Sequence, residues 1–194
     1  VNHQPGTNVS IALVHFPVYN KQGEIITTSV TNLDLHDISR TARTFNLSRY
    51  FVVTPVLSQH ELAGRIMKHW KEGWGSTYNP NRREAFGRTE MVHTLAEVQE
   101  KCAEETCGKV ITVVTSANPK RATVPYRDFA REIATHSDDH YLILFGTGWG
   151  LTEEVMQSAD VVLPPILGNG DYNHLSVRSA VAIILDRIFT TETI

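Results

Sequence analysis

Two glycine-rich stretches are the first places where these residues could do chemistry. "LILFGTGWGL" sets Gly146, Gly148 and Gly150 behind an apolar run, and "ILGNGDYNHLS" sets Gly168 and Gly170 ahead of an apolar, helix-like tail. Glycine has no Cβ, so such loops let a ligand approach the backbone. Neither stretch is a phosphate loop, which needs a lysine in GxxxxGK[ST]. The GxGxG spacing also misses the GxGxxG dinucleotide fingerprint, and only 44 residues follow Gly150, far from the first βαβ unit where that fingerprint sits. Neither loop carries Lys or Arg, which disfavours a phosphate-rich ligand. Backbone amides and carbonyls suit an uncharged heterocycle such as adenine, or a sulfonium. A plain turn that places glycine at positive φ satisfies "GTGWG" as well.

Residues 73–90, "GWGSTYNPNRREAFGRTE", interleave Arg82, Arg83 and Arg88 with Trp74, Tyr78 and Phe86. Cations among aromatics suit stacked bases and phosphates, although core aromatics under a solvated charged loop give the same pattern. Two stretches imitate metal sites. "HELAG" (60–64) begins like HExxH but has Gly64 in place of the second His, and "HSDDH" (136–140) joins a helix-like run to a strand-like one. Neither predicts a metal. Cys102 and Cys107 are too few and too widely spaced for a zinc site, and read as reduced thiols.

The elements that must position these groups follow from the apolar pattern. The 194 residues are 41% hydrophobic and 20% charged, enough for one sizeable core, and we expect a single domain over 1–194. No apolar run is long enough to span a bilayer and no secretory leader is visible, so a cytoplasmic protein is expected, with no membrane partner. The formal net charge is −3, yet residues 40–88 hold nine Lys/Arg against three acids, a local balance of +6. Such a stretch attracts phosphates or forms a solvated face. Strands are expected at 9–19, 50–55, 109–117, 140–146 and 160–165. Helices are expected from Asp37, after a Ser58–Glu61 capping box, from Thr94, over "YRDFAREIATH" and "TEEVMQSA", and from about Asn173 to the end. Residues 73–90 read as a long loop. Alternating strands and helices imply an α/β fold with a mainly parallel sheet covered by helices on both faces. Ligands of such sheets bind beyond the carboxyl ends of strands, where 115–119, 146–150 and 164–173 lie.

"LILFGTGWGL", "LPPILGNGDYNHLSVRSAVAIILDRI" and "NLDLHDISRTA" together resemble the three motif regions of the SPOUT (α/β-knot) RNA methyltransferases, in particular the small bacterial group related to tRNA (guanine-N1) methyltransferase. "GDYNHLS" is similar to the start of that group's last helix, and "NLDLHDISRTA" resembles the Asn–Arg helix of the ribose-methylating branch. The resemblance implies a C-terminal trefoil knot, otherwise a rare topology. It implies a homodimer, S-adenosylmethionine as cofactor, and tRNA or rRNA as substrate, methylated on a base nitrogen or a ribose 2′-hydroxyl. By position, it places Thr115 and Ser116 in the first cofactor loop and Phe145, Gly146, Thr147, Gly148, Trp149 and Gly150 in the second. Ile166, Leu167, Gly168, Asn173, His174, Leu175 and Ser176 fall in the third. Two departures stand out. Gly148 or Trp149 occupies the place of a Glu in the ribose-methylating branch, and the Asp base that the guanine-N1 enzymes carry on a C-terminal domain has no counterpart in these residues. A knotted RNA-binding or cofactor-sensing module without catalysis is the alternative these departures raise.

Methyl transfer from a sulfonium asks for an aligned nucleophile and a proton acceptor. Asn32 and Arg40 stand where the resemblance puts a catalytic Asn and Arg; Arg40 is expected to bind the target phosphate or lower the nucleophile's pKa. Asp37 is the nominated base, with Asp34 and His36 beside it as further acids and bases. Arg43, Arg82, Arg83 and Arg88 are the expected RNA contacts.

Overall fold

Short β-branched runs pair into one sheet because each has two apolar faces to bury. A computed structural model describes residues 7–118 and 120–190. In chain order the elements are β1 (Val9–Val14), β2 (Val18–Tyr19), β3 (Ile25–Ile26), α1 (Asn32–Thr44), β4 (Tyr50–Val53), α2 (Leu57–Lys71), α3 (Trp74–Tyr78), α4 (Pro80–Phe86), β5 (Thr89–Val92), α5 (Leu95–Glu104), β6 (Val110–Val114), α6 (Tyr126–Thr135), β7 (His140–Gly146), α7 (Glu153–Ser158), β8 (Val161–Val162) and α8 (Val177–Phe189). Six strands form a sheet in the order β5-β4-β1-β7-β6-β8, parallel at every pairing, and β2 and β3 form a separate antiparallel hairpin.

Residues one apart along a strand face opposite sides. Val9, Ile11, Leu13, Tyr50, Val52, Ile143 and Phe145 join one core with α1, α6 and α8, through Leu35, Ile38, Phe129 and Leu185. Ala12, Val14, Phe51, Val53, Leu142 and Leu144 join the other, with Val98 and Cys102 of α5 and Val155 of α7. The expected parallel sheet with helices on both faces is therefore present. Among the described residues, no helix is long and apolar enough to cross a membrane.

Several boundaries differ from the sequence reading. α1 begins at Asn32, not at Asp37: Thr31 caps it, accepting the Asp34 N–H at 3.1 Å and donating to Asp34 Oδ2 at 2.6 Å. Asp37 lies in the second turn. Ser58 and Glu61 form no capping box, since α2 starts one residue earlier with Val56 at the cap and no side-chain acceptor. Residues 73–90 are not a loop but α3, α4 and edge strand β5. Asn79 caps α4, accepting the Arg82 N–H at 3.1 Å, and Pro80 takes the first helical position, where a missing N–H costs nothing. α8 starts at Val177 under a Ser176 cap, not at Asn173. The strand expected at 160–165 pairs only over Val161–Val162, and that at 9–19 splits into β1 and β2.

Candidate active site

Strand order reverses between β1, which leads outward to β4, and β7, which pairs back to β6. Crevices in open parallel sheets open at such a point, beyond the carboxyl ends. A cleft of about 1070 Å³ lies there, bordered by His15 after β1, Thr115 after β6, Gly146 at the end of β7 and Pro164 after β8. This is ample for a nucleoside-sized ligand.

The glycine loop after β7 forms one wall. The Thr147 hydroxyl donates to the Val14 carbonyl at 2.9 Å, and Gly150 N donates to Thr147 O at 3.0 Å, closing a turn. Gly148 and Gly150 hold φ of +58° and +102°, a region that L side chains rarely adopt. The β2–β3 hairpin clasps the loop from outside: Trp149 N donates to Tyr19 O at 2.9 Å and Tyr19 N to Gly150 O at 3.0 Å. Gly146 is fixed by contact, since a Cβ there would sit 2.7 Å from Leu151 N.

Behind the loop runs a buried polar chain. His15 is 1% exposed. Its Nδ1 lies 2.9 Å from Thr28 Oγ1, which lies 2.5 Å from Thr147 Oγ1. If the Thr147 hydrogen goes to Val14 and the Thr28 hydrogen to Thr147, the chain is completed by His15 Nδ1–H donating to Thr28. Burial pushes the His15 pKa down to about 4, against a partial upward pull from Asp34, so the ring is neutral near pH 7. In that tautomer Nε2 is a buried lone pair with no partner among the described residues. Asp34, almost fully buried, binds Arg178 at 2.8 Å, and Arg178 Nε reaches Asp37 at 3.5 Å. The one guanidinium thus ties α8 to two carboxylates of α1.

Of the residues nominated for the cofactor, Thr115, Ser116, Phe145 to Gly150, Ile166 and Asn173 to Ser176 line this cleft. Leu167 and Gly168 do not; both are exposed. Asn32 is exposed at the first turn of α1 and lies outside the cleft lining. Asp37 and Arg40 border a second groove of about 820 Å³ between α1 and α8. Arg43 is paired with Glu84 at 2.5 Å, Arg88 donates to the Leu47 carbonyl, Arg82 lies 4.3 Å over the Trp70 ring, and Arg83 is exposed. His36 packs edge-on against Trp70 and Phe86, with its pKa lowered by burial and then by Arg82. His15, Thr28 and Arg178 were not singled out from sequence. For Arg178 the signal was present, as a lone cation near the start of an apolar helix.

The metal-like stretches are occupied otherwise. His60 binds the Thr54 carbonyl at 2.7 Å and stacks on His93; Asp139 accepts the Lys109 N–H, and His140 bonds Ser10. Among the described residues, no group of three or more His, Cys, Asp or Glu could hold a metal ion.

The cleft's cations are also committed. Lys120 pairs with Glu153 at 3.0 Å, Arg121 donates to the carbonyls of Met156 and Ala159 at the end of α7, and Arg178 holds its two Asp partners. A family model described as SAM-dependent RNA methyltransferase matches residues 8–190. The chain belongs to this family. An uncharacterized protein of Aquifex aeolicus is 43% identical over 94% of this chain and 89% of its own length. A tRNA (guanine-N(1)-)-methyltransferase of Nitratidesulfovibrio vulgaris is 40% identical over 96% of this chain but only 43% of its own. The chain thus spans under half the length of that methyltransferase relative. Among solved structures, TrmJ from Z. mobilis matches with a TM-score of 0.60 at 16% identity, over 95% of this chain and 70% of that one, a likeness of fold. The SAM-dependent RNA methyltransferase family accounts for a switch-point cleft walled by glycine backbone rather than by free cations.

Proposed function

We propose that this chain transfers a methyl group from S-adenosylmethionine to RNA, with tRNA as the favoured substrate, at a base nitrogen or a ribose 2′-hydroxyl. The observation that carries the reading is the cleft itself: a cavity walled by the glycine loop, whose Lys120 and Arg178 are paired with carboxylates and whose Arg121 is held by the carbonyls of Met156 and Ala159. That lining fits the cofactor, since a sulfonium gains from carbonyls and loses beside free cations. When bound, the cofactor supplies an electrophilic methyl carbon.

Thr115, Ser116, Phe145 to Gly150, Ile166 and Asn173 to Ser176 are the residues proposed to hold it, with Trp149, exposed at the rim, covering it. The turn at 147–150 is held by its own hydrogen bonds and by the β2–β3 hairpin, which pre-organises its backbone. Arg40, Asp37 and Asn32 are proposed to act on the RNA. All three lie outside the cleft; Arg40 and Asp37 line the α1–α8 groove and Asn32 lies at the start of α1, so they reach the reacting atoms only if a second copy's cleft lies against this α1. A homodimer is therefore part of the proposal. So is the knot that the resemblance implies; segment 163–176 is held to the region after β6 by Asn173 Nδ2 on the Ala117 carbonyl (3.1 Å) and the Tyr126 hydroxyl on the Pro164 carbonyl (2.6 Å).

Calorimetry with S-adenosylmethionine, S-adenosylhomocysteine and NAD tests the cofactor. Binding of NAD alone sinks the reading. Labelled methyl transfer to undermethylated cellular RNA, with nucleoside mapping, tests the reaction. The second reading, a non-catalytic binding module, is favoured by Gly148 and Trp149 standing where ribose-methylating relatives carry Glu; it gains if cofactor binds but no RNA is labelled.

A further inference from the structure

Residues 72–79 hold two large aromatic rings in water by design of the backbone beneath them. Trp74 is 71% exposed and Tyr78 70% exposed. They sit one helical turn apart on α3, stacked with centroids 4.8 Å apart and planes at 19°. Gly73 and Gly75 fix this arrangement. A Cβ on Gly73 would meet the His69 carbonyl at 2.7 Å, and one on Gly75 would meet the His69 and Trp70 rings at 2.8 Å. The inner side of α3 is therefore pressed onto the end of α2, which leaves the Trp74–Tyr78 pair outward. Ser76 Oγ donates to the Gly73 carbonyl at 2.7 Å and Asn79 caps the next helix, so the pair is mounted on a closed structure.

The surroundings are cationic. Residues 65–83 hold Arg65, Lys68, Lys71, Arg82 and Arg83 against Glu72 alone. Arg65, Lys68 and Arg83 are exposed. Arg82 lies on Trp70, directly beneath this region of α2. An exposed apolar pair ringed by apolar side chains would suit a protein partner. An exposed stacked pair on a cation-rich stretch of chain suits a ligand with aromatic faces and phosphates. A free ring face accepts another flat ring regardless of sequence, and the cations follow the backbone.

We infer that Trp74 and Tyr78 form a stacking ledge for unpaired bases of the RNA substrate, outside this chain's own cofactor cleft. The inference rests on the RNA reading above. Neither ring lines that cleft: α2 leaves the carboxyl end of β4 and runs 15 residues before α3 begins, about 22 Å of helix. A ligand that uses both cleft and ledge is an oligonucleotide, not a nucleoside. The ledge acts on RNA affinity.

The test compares the full chain with its Trp74→Ala/Tyr78→Ala variant, both with side chains too exposed to support the core. Fluorescence anisotropy reads binding of a single-stranded oligoribonucleotide and of a hairpin of the same composition. Calorimetry reads S-adenosylmethionine affinity, and sedimentation reads oligomeric mass. The expected result is a weakening of single-strand binding by roughly 5- to 150-fold, with cofactor affinity and mass unchanged. Equal RNA affinity in the two proteins overturns the ledge while leaving the RNA reading intact. A fall in oligomeric mass overturns it in favour of a contact between copies. An equal loss on the hairpin overturns base stacking. Cofactor binding with no RNA binding by the unaltered chain sinks the RNA reading and the ledge together.

Discussion

The two ends of the parallel sheet treat their special residues in opposite ways. At the carboxyl ends, His15, Thr28, Thr147, Asp34 and Arg178 are tied together in a largely buried network. At the far end of α2, Trp74 and Tyr78 are held out in solvent above close-packed glycines. In the first region, binding groups are also structural members, so damage to one is damage to the other. In the second, the rings contribute little to the core and can be exchanged at small cost. The cleft couples function to stability; the ledge separates them.

The largest expected effect that breaks this comparison comes from pH. His15 titrates near 4 in the folded protein and near 6.5 when unfolded. Between those values the unfolded chain binds the extra proton, so stability is full above pH 6.5 and falls as pH drops toward 4. The difference of about 2.5 units corresponds to about 3 kcal/mol. His36 and His140, also lowered chiefly by burial, act in the same direction. Urea melts at pH 7 and pH 4.5 are expected to show a smaller acid loss in His15→Gln than in the unaltered chain; identical slopes would separate His15 from the network. Next is Arg178→Ala, which leaves the Asp34 carboxylate buried without its cation. A loss of about 2–3 kcal/mol is expected, below the full buried-pair value because Arg178 is nearly a third exposed. Chemical denaturation reads it, and Arg178→Lys restoring part of the loss would identify charge as the cause. Gly146→Ala forces a Cβ against the Leu151 backbone and is expected to cost about 1–3 kcal/mol. It also weakens S-adenosylmethionine binding in calorimetry; unchanged affinity would remove the glycine loop from the cofactor wall. The smallest stability effect sharpens the contrast: Trp74→Ala/Tyr78→Ala is expected to stay within about 0.5 kcal/mol of the unaltered chain in the same melts.

What could be read in the sequence follows the same division. β1, β4, β6 and β7 were legible because each is a compact apolar run buried on both faces. β5 was not: "TEMV" carries Thr89 and Glu90, since an edge strand has one neighbour and its polar groups are taken up by Ser39, Arg49 and Lys101. α3 and α4 were hidden by the glycines and asparagines that cap and seat them, although Asn79–Pro80 is a helix-start signal. The start of α1 was also legible as Thr31-x-x-Asp34, but Asp37 competed for the role. The cleft loops were found from their glycines and the resemblance. His15 was missed because a lone histidine after a strand carries no spacing signal; its importance arises from Thr28, 13 residues on, and Thr147, 132 residues on. Arg40 and Asn32 were matched by motif position, while their distance from the cleft is a property of three-dimensional placement.

The position of β7 has a consequence for how the protein is made. One edge of β1 pairs with β4 within some 40 residues, but its other edge waits for Tyr141 to Gly146. The Ser10 hydroxyl likewise meets His140, 130 residues on. During synthesis, β5-β4-β1 with α1 can assemble early as a half-sheet whose open edge is β1 itself. Non-local strand pairing of this kind is slow, and an unpaired apolar edge invites association with other chains. The middle of the finished sheet thus closes only once β7 has been made, and the cleft, whose lining reaches Ile184, forms later still.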